Sequence, residues 1–424
     1  MIAEAVARGF RRLLAGADAG FVFKHCTRAP APEERAQVQH LYIHVPFCRH
    51  SCPYCPYNKI KLDRPLAARY FAALRQEIAW YSATKPARVI ESLYLGGGSP
   101  SLFPEEIAEL IAQLTRQYDL RGTRCIEIHP NDCDESTLRR LISAGITTIS
   151  IGVQSFDDAL LARIGRTYSG AAARAAVARA RRHFAKVNVD LMFALPGSSA
   201  RRIVQDSTLA VELGADQITA YPLFTFPYST VGSYRRLERV GMPRLLDRRR
   251  QYYAFYDYLT QLDFQRVSVW SFMRGGGSRY SSVTRDGYLG FGAGSGTQLP
   301  GGYYLNTFAV QDYIKCIDEQ CYPTALKYEL DERRENLFWL YWRFYDTTIP
   351  GAEFSRRFAG DRKIQALMSG LALTGMMSRN ENGFILTRRG AFWLHLAQNY
   401  FALQSINAVW TRALQEPFPD EIRF

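Results

Sequence analysis

Six short apolar runs alternate with helical segments between residues 40 and 235, and that alternation limits the folds open to the chain. The runs are Leu41–Val45, Ser92–Leu95, Cys125–Ile128, Thr148–Val153, Val187–Met192 and Gln217–Tyr221. Each is rich in β-branched or aromatic residues and bounded by turn formers, as strands buried on both faces are. Helical patterns separate them. Pro65 opens one at the favoured first-turn position, and Pro104-Glu105-Glu106 opens another with acidic residues where the helix dipole favours them. Six βα units in succession predict an α/β fold built on a partial (β/α)6 TIM-type barrel, with functional residues at the carboxyl ends of its strands.

The remainder divides by composition. Residues 1–39 read as a basic leader broken by Pro30, Pro32 and Glu33-Glu34-Arg35, and residues 40–235 as the barrel. Residues 236–315 form an aromatic and glycine-rich extension, in which Tyr252, Tyr253, Tyr256 and Tyr258 share a helical pattern that suits a packed face. Residues 316–424 predict a smaller helical unit: a helix, a short hairpin at Gly383 and a last amphipathic helix. That order resembles a winged helix and by itself says nothing of DNA binding.

The 53 Lys and Arg against 40 Asp and Glu give a net charge of +13, which points to an anionic partner or to solvated arginine-rich helix faces. No paired zinc ligands or aromatic RNA-binding signature occurs, so no nucleic acid is expected. A carboxylate-rich metabolite and peripheral contact with an anionic membrane are the other candidates. Without a 20-residue apolar span or an export signal, the expectation is a soluble cytoplasmic protein. Of the eight cysteines, five are scattered (Cys26, Cys125, Cys133, Cys316 and Cys321), and no disulfide framework is expected.

The other three stand together in Cys48-Arg-His-Ser-Cys52-Pro-Tyr-Cys55, just after the first apolar run. A [4Fe–4S] cluster normally takes one thiolate per iron, so three thiols leave one iron open for chemistry. Zinc is the alternative. It wants four closed ligands in a structural site, and here a second cysteine pair is missing although His44 and His50 lie nearby.

The surroundings decide. Tyr42-Ile-His44-Val-Pro46-Phe47-Cys48-x-x-x-Cys52-Pro-Tyr54-Cys55 resembles the radical S-adenosylmethionine (SAM) superfamily. More narrowly, it resembles the group of oxygen-independent coproporphyrinogen III dehydrogenase with its haem-chaperone and class C methyltransferase relatives. The likeness runs over about residues 40–300 through ordered motifs: Gly96-Gly97-Gly98-Ser99-Pro100-Ser101, Glu127-Ile-His-Pro, Ser150-Ile-Gly152-Val-Gln154-Ser-Phe156, Gly165-Arg166, Val189-Asp190 to Pro196-Gly197, and Tyr288-Leu-Gly290-Phe-Gly292-Ala-Gly294. Each is weak alone; their order is specific.

The resemblance implies that Cys48, Cys52 and Cys55 hold the cluster and that SAM chelates the open iron. An electron from the cluster, delivered by a donor such as flavodoxin or ferredoxin, then cleaves SAM to a 5′-deoxyadenosyl radical. Carried over position by position, Tyr42, Gly97, Glu127 and Gly296 would meet the cluster-bound SAM. Gly98, Ser99, Gln154, Arg166, Asp190 and Phe224 would meet a second SAM, and Tyr54 would contribute through its backbone. The glycine triplet also suits an ordinary tight βα turn, and Gln154, Arg166 and Asp190 also suit a polar network bracing the barrel.

Three positions depart from the pattern. Tyr57 stands where the dehydrogenase has a fourth cysteine. Tyr168 stands where the chaperone has a histidine, and Gly294-Ser-Gly lacks the histidine expected there. The resemblance then implies methyl or one-carbon transfer to a conjugated, aromatic or tetrapyrrole-like substrate. Oxidative decarboxylation of coproporphyrinogen III and haem carriage are the alternatives.

Overall fold

The computed structural model describes residues 21–30, 38–82, 89–223, 243–276 and 287–423. A short strand β1 (Val22–His25) precedes β2 (His40–Val45), the first strand of the barrel. Two short parallel strands, β3 (Phe47–Cys48) and β4 (Ile60–Lys61), bracket the cysteine segment. The chain then alternates through α1 (Arg64–Ser82), β5 (Val89–Gly97), α2 (Pro104–Gln117), β6 (Asp119–Ile128), α3 (Glu135–Ser143) and β7 (Thr148–Gln154). It continues through α4 (Asp158–Arg163), α5 (Gly170–His183), β8 (Lys186–Phe193), α6 (Ala200–Glu212) and β9 (Gln217–Pro222).

All six apolar runs are strands, and β2-β5-β6-β7-β8-β9 lie side by side in parallel. Among the described residues the arc runs on at both edges: β9 takes the antiparallel β11 (Ser271–Met273), and β2 takes the parallel β12 (Tyr288–Phe291). The result is the expected α/β half-barrel, extended into a larger mixed sheet.

Between these lie α7 (Leu245–Gln261) and β10 (Gln265–Arg266). Beyond β12 come β13 (Gly296–Leu299), β14 (Gly302–Asn306), α8 (Val310–Asp318) and β15 (Thr324–Glu329). The chain closes with α9 (Glu332–Asp346), β16 (Thr348–Pro350), α10 (Gly351–Phe358), α11 (Arg362–Leu373), β17 (Met377–Asn380), β18 (Gly383–Leu386), α12 (Arg388–Gln415) and β19 (Glu421–Arg423). Strands β16, β18 and β17 form a small separate sheet. Within the stretch read as a leader, β1 pairs with both β15 and β19, because Phe23 buries itself against Tyr303 and Tyr328.

The tyrosine-rich pattern is α7, and Tyr252 is fully buried among Phe193, Trp270 and Phe392. A helix, hairpin and final helix follow in the expected order as α11, β17–β18 and α12. The last helix departs from a simple apolar stripe, since His395 and Gln398 are on its buried side. Its first turn is anchored by Arg388, which pairs with Asp257 and lies 4.2 Å from the centre of the Tyr253 ring. Among the described residues no helix is long and apolar enough to cross a membrane, and all eight cysteines are free.

One buried carboxylate ties the barrel to the glycine-rich segment. Glu77 of α1 accepts from the Gly292 amide at 2.8 Å, the Tyr313 hydroxyl at 2.6 Å and the Asn306 side-chain amide at 2.8 Å. Burial pushes its carboxyl up to about 7 despite these donors. Removing it leaves three donors buried without an acceptor, each costing about 1–3 kcal/mol. Glu77→Ala is therefore expected to lose more than about 3 kcal/mol in a urea titration, and a loss below about 1 kcal/mol would show that the brace is idle.

Candidate active site

The cysteine segment leaves the carboxyl end of β2 and folds back on the neighbouring strand ends. Its anchor is His44. The ring accepts from the Tyr42 hydroxyl at Nδ1 (2.7 Å) and donates from Nε2 to the Asn58 carbonyl (2.8 Å). Burial lowers its pKa to about 4, which keeps the ring neutral. The Asn58 side-chain amide in turn donates to the Ala293 and Phe308 carbonyls at 3.2 and 2.9 Å, fastening the far end of the segment.

The glycine triplet at the end of β5 makes this packing feasible. A Cβ on Gly97, whose φ is +109°, would lie 2.7 Å from the His44 ring; one on Gly98 would lie 2.6 Å from the Phe47 carbonyl oxygen. One on Gly96 would strike the Tyr94 ring at 2.7 Å. The missing side chains thus admit the cysteine segment itself, while Gly97 and Gly98 still line the cavity beyond it.

That cavity, of about 370 Å³, is bordered by Cys48, Cys52 and Cys55 and by Gly97, Gly98, Ser99, Glu127, Gln154, Arg166 and Asp190. Tyr54 closes the same end. Among the described residues no three His, Cys, Asp or Glu side chains converge as ligands of one metal ion. A cubane binds each thiolate to a different iron, and Cys48, Cys52 and Cys55 border one cavity. The cysteines present fit the cluster. Burial pushes the Cys48 thiol up to about 12 and raises that of Cys55, so loading a cluster displaces protons. The Ser99 hydroxyl lies 3.8 Å from the Cys48 sulfur.

Glu127, near the end of β6, accepts from the Tyr94 hydroxyl at 2.6 Å and the Gly97 amide at 3.2 Å, which aims the carboxylate along the cavity. Gln154 ends β7 in a left-handed conformation, φ 65°, and its carbonyl accepts from the Tyr221 hydroxyl at 2.7 Å. Arg166 lies 5.7 Å from the centres of both the Tyr54 and Tyr168 rings. Asp190 of β8 accepts from the Ser150 hydroxyl at 2.7 Å and the Asn188 amide at 2.8 Å. Burial raises its pKa from 3.8 to about 6, against those two donors and Arg166.

Asp190 belongs to a polar ladder that sequence reasoning missed. Asn188 also donates to the Ser150 hydroxyl at 2.7 Å and accepts from Thr219 at 3.0 Å, and Thr219 meets Ser271 at 3.0 Å. The signal was available as polar residues at alternate positions of otherwise apolar strands. Of the three residues for which a bracing network is the alternative role, Asp190 joins this ladder, while Gln154 bonds Tyr221 and Arg166 faces the Tyr54 and Tyr168 rings.

Two expected positions lie elsewhere. Tyr42 and Gly296 line a second cavity of about 380 Å³, walled by Tyr94, Tyr288, Tyr303, Trp342 and Trp410. A Cβ on Gly296 would meet the Tyr303 hydroxyl at 2.3 Å, so the space that glycine opens is taken by that tyrosine rather than by the first cavity. The cavities adjoin at Tyr57, Tyr341 and Trp342, and Tyr57 is 48% exposed there. Phe224 falls outside the described residues.

Comparison with known proteins accords with this geometry. Residues 42–209 match the radical SAM superfamily. They are similar to a radical SAM domain. Such a domain works with a [4Fe–4S] cluster and SAM, and when bound the cluster supplies the electron that splits SAM. The chain is 26% identical over 361 residues to the heme chaperone HemW of Bacillus subtilis, covering 82% of this chain and 95% of that protein. It is 26% identical over 382 residues to the anaerobilin synthase of Escherichia coli O157:H7, covering 87% and 83% respectively. The solved structure of coproporphyrinogen III oxidase (HemN) from Escherichia coli superposes with a TM-score of 0.76 at 20% identity, over 91% of this chain and 95% of that one. This last likeness is one of fold.

Two outcomes follow. Replacing Cys48, Cys52 or Cys55 with Ala should remove the brown chromophore and bound iron after anaerobic reconstitution; iron retained in all three variants would refute the cluster site. Native Asp190 holds its proton more tightly than the unfolded chain does, so ionisation costs stability between pH 3.8 and about 6, and that cost is complete above it. Asp190→Asn should then be stabilised by about 3 kcal/mol near pH 8 and unchanged below about pH 3.5, as read by thermal melts. Greater stability at the acid end instead would reverse this account.

Proposed function

We propose that this chain is an enzyme that turns radical SAM chemistry on a tetrapyrrole. The observation that carries the proposal is a single cavity with two unlike ends. At one end stand the three thiols, the glycine triplet and the polar groups Glu127, Gln154, Arg166 and Asp190. At the other stand Trp270, Tyr341, Trp342 and Tyr345, flat faces suited to a flat conjugated ring. The names of the relatives, heme chaperone and anaerobilin synthase, support a tetrapyrrole and lend none to methyl transfer onto other aromatic substrates.

In this proposal Glu127, held by Tyr94 and Gly97, orients the hydroxyl groups of the cluster-bound SAM. Arg166, stacked against two tyrosine rings, offers its guanidinium to a carboxylate, and Asp190 accepts from an ammonium group. Fixed partners on each of these side chains mean that little reorganisation accompanies binding. A second SAM at Gln154, Arg166 and Asp190 suits one-carbon transfer to the ring, with oxidative decarboxylation as the alternative.

Haem carriage through the chaperone's histidine positions is disfavoured by what occupies them. The buried Tyr168 hydroxyl lies 2.7 and 2.8 Å from the Gly152 and Val153 carbonyls. The buried Ser295 hydroxyl donates to the Gly292 carbonyl at 2.8 Å. Both hydroxyls are satisfied within the fold.

The test is anaerobic turnover of cluster-loaded protein with SAM, a reductant and either haem or coproporphyrinogen III. An enzyme should release 5′-deoxyadenosine together with a tetrapyrrole of altered mass. S-adenosylhomocysteine alongside it marks one-carbon transfer, and CO2 without it marks decarboxylation. Stoichiometric haem uptake with no nucleoside product from either substrate would overturn the proposal in favour of a carrier.

A further inference from the structure

Lys59 stands at the far end of the cysteine segment and borders the same cavity as the three thiols. Its backbone is pinned on both sides. The Asn58 carbonyl before it accepts from His44 Nε2 at 2.8 Å, and the Ile60 amide after it donates to the Pro46 carbonyl at 2.7 Å, where β4 pairs with β3. The half-buried side chain turns back over the segment, and its ammonium nitrogen donates to the Cys55 carbonyl at 2.8 Å. That bond ties the charge to the backbone of a cluster cysteine. Among the described residues no carboxylate forms an ion pair with it.

An ammonium group partly withdrawn from water, with no anionic partner in the protein, is costly unless something bound nearby carries the opposite charge. A loaded cluster does. Three thiolates outweigh the two positive charges of an oxidised [4Fe–4S] core, and the electron it takes up makes the whole more negative. Burial disfavours the thiolates of Cys55 and Cys48, and the Lys59 charge favours both. Arg166 acts in the same sense on Cys55, more weakly than Lys59, while Glu127 and Asp190 on the cavity wall carry the opposite sign. The potential of an iron–sulfur cluster is set by net charge, hydrogen bonds to its sulfurs and exposure to solvent. Lys59 supplies the first of these, and the Ser99 hydroxyl, 3.8 Å from the Cys48 sulfur, supplies the second.

We propose that Lys59 sets the reduction potential of the [4Fe–4S] cluster, its fixed ammonium offsetting the negative charge gained when the cluster takes up an electron. It is a positioning residue, acting through the cluster and not on the reacting atoms. By raising the potential it lets a one-electron donor reduce a larger share of the clusters before SAM is cleaved. This role holds whatever molecule the radical attacks, so its failure leaves the tetrapyrrole reading standing.

The experiment is an anaerobic redox titration of reconstituted protein with dithionite. Loss of visible absorbance and the electron paramagnetic resonance signal of the reduced cluster give the midpoint. Lys59→Met and Lys59→Gln remove the charge, and in both the equilibrium should shift toward the oxidised cluster by about tenfold, about 59 mV for one electron. Lys59→Arg keeps the charge and should titrate with wild type. Iron content and the spectrum of the oxidised cluster should be unchanged in all three variants, which shows that the cluster loads. A wild-type midpoint in both neutral variants overturns the proposal. An equal shift in Lys59→Arg also overturns it, since the effect would then be one of packing. Failure of both neutral variants to load iron overturns it too and makes Lys59 a brace for the segment. Weakened SAM binding with an unchanged midpoint overturns it in favour of a contact with a ligand carboxylate.

Discussion

The neutral ring of His44 is the contact on which the site's geometry depends. It belongs to β2, the strand that takes β5 on one side and β12 on the other, and both of its nitrogens are committed. Nδ1 fixes it to its own strand through Tyr42, and Nε2 fixes it to the end of the cysteine segment. Its face excludes any side chain at residue 97. Asn58 then carries the restraint across to the glycine-rich segment, where Glu77 receives the Gly292 amide from behind. Charging the ring would put a proton on Nδ1, where it now accepts, and burial opposes that charge. The cysteines themselves need no strong mutual contacts, because the strands on either side set their positions.

Much of this was legible in the sequence, for physical reasons that can be named. Parallel strands covered on both faces must be apolar throughout, so Thr148–Val153 or Val187–Met192 is visible without an alignment. The cysteine spacing is visible because cluster ligation tolerates little variation. The role of the glycine triplet was only half visible: absent side chains imply a close approach, but the sequence does not say that the approaching group is His44 and the Phe47 backbone rather than a ligand. The Ser150–Asn188–Thr219–Ser271 ladder was hidden by register, since polar side chains on different strands meet only once the pairing is known.

The three departures from the family pattern take on separate meanings in the fold. Tyr168 and Ser295 are buried and hydrogen-bonded to backbone carbonyls, so both hydroxyls serve the fold. Tyr57 is the opposite case. It is about half exposed and stands where the two cavities adjoin, a place where a fourth thiol would face open space rather than the other three cysteines. Its ring lines both cavities where they adjoin.

The two ends of the first cavity come from different parts of the chain, and this bears on how a substrate is chosen. The thiols, glycines and polar groups stand at the carboxyl ends of β2, β5, β6, β7 and β8, where a half-barrel puts its chemistry. Tyr341, Trp342 and Tyr345 come from α9, and His395 and Asn399 from α12, both beyond the glycine-rich segment. Radical chemistry requires the same floor whatever the substrate, so constraint on the floor is tight; the roof has only to fit the molecule being attacked. A chain can therefore keep the cysteines, Glu127 and Asp190 and change its substrate by changing two helices. In this chain those helices bring Tyr341, Trp342 and Tyr345 to the cavity.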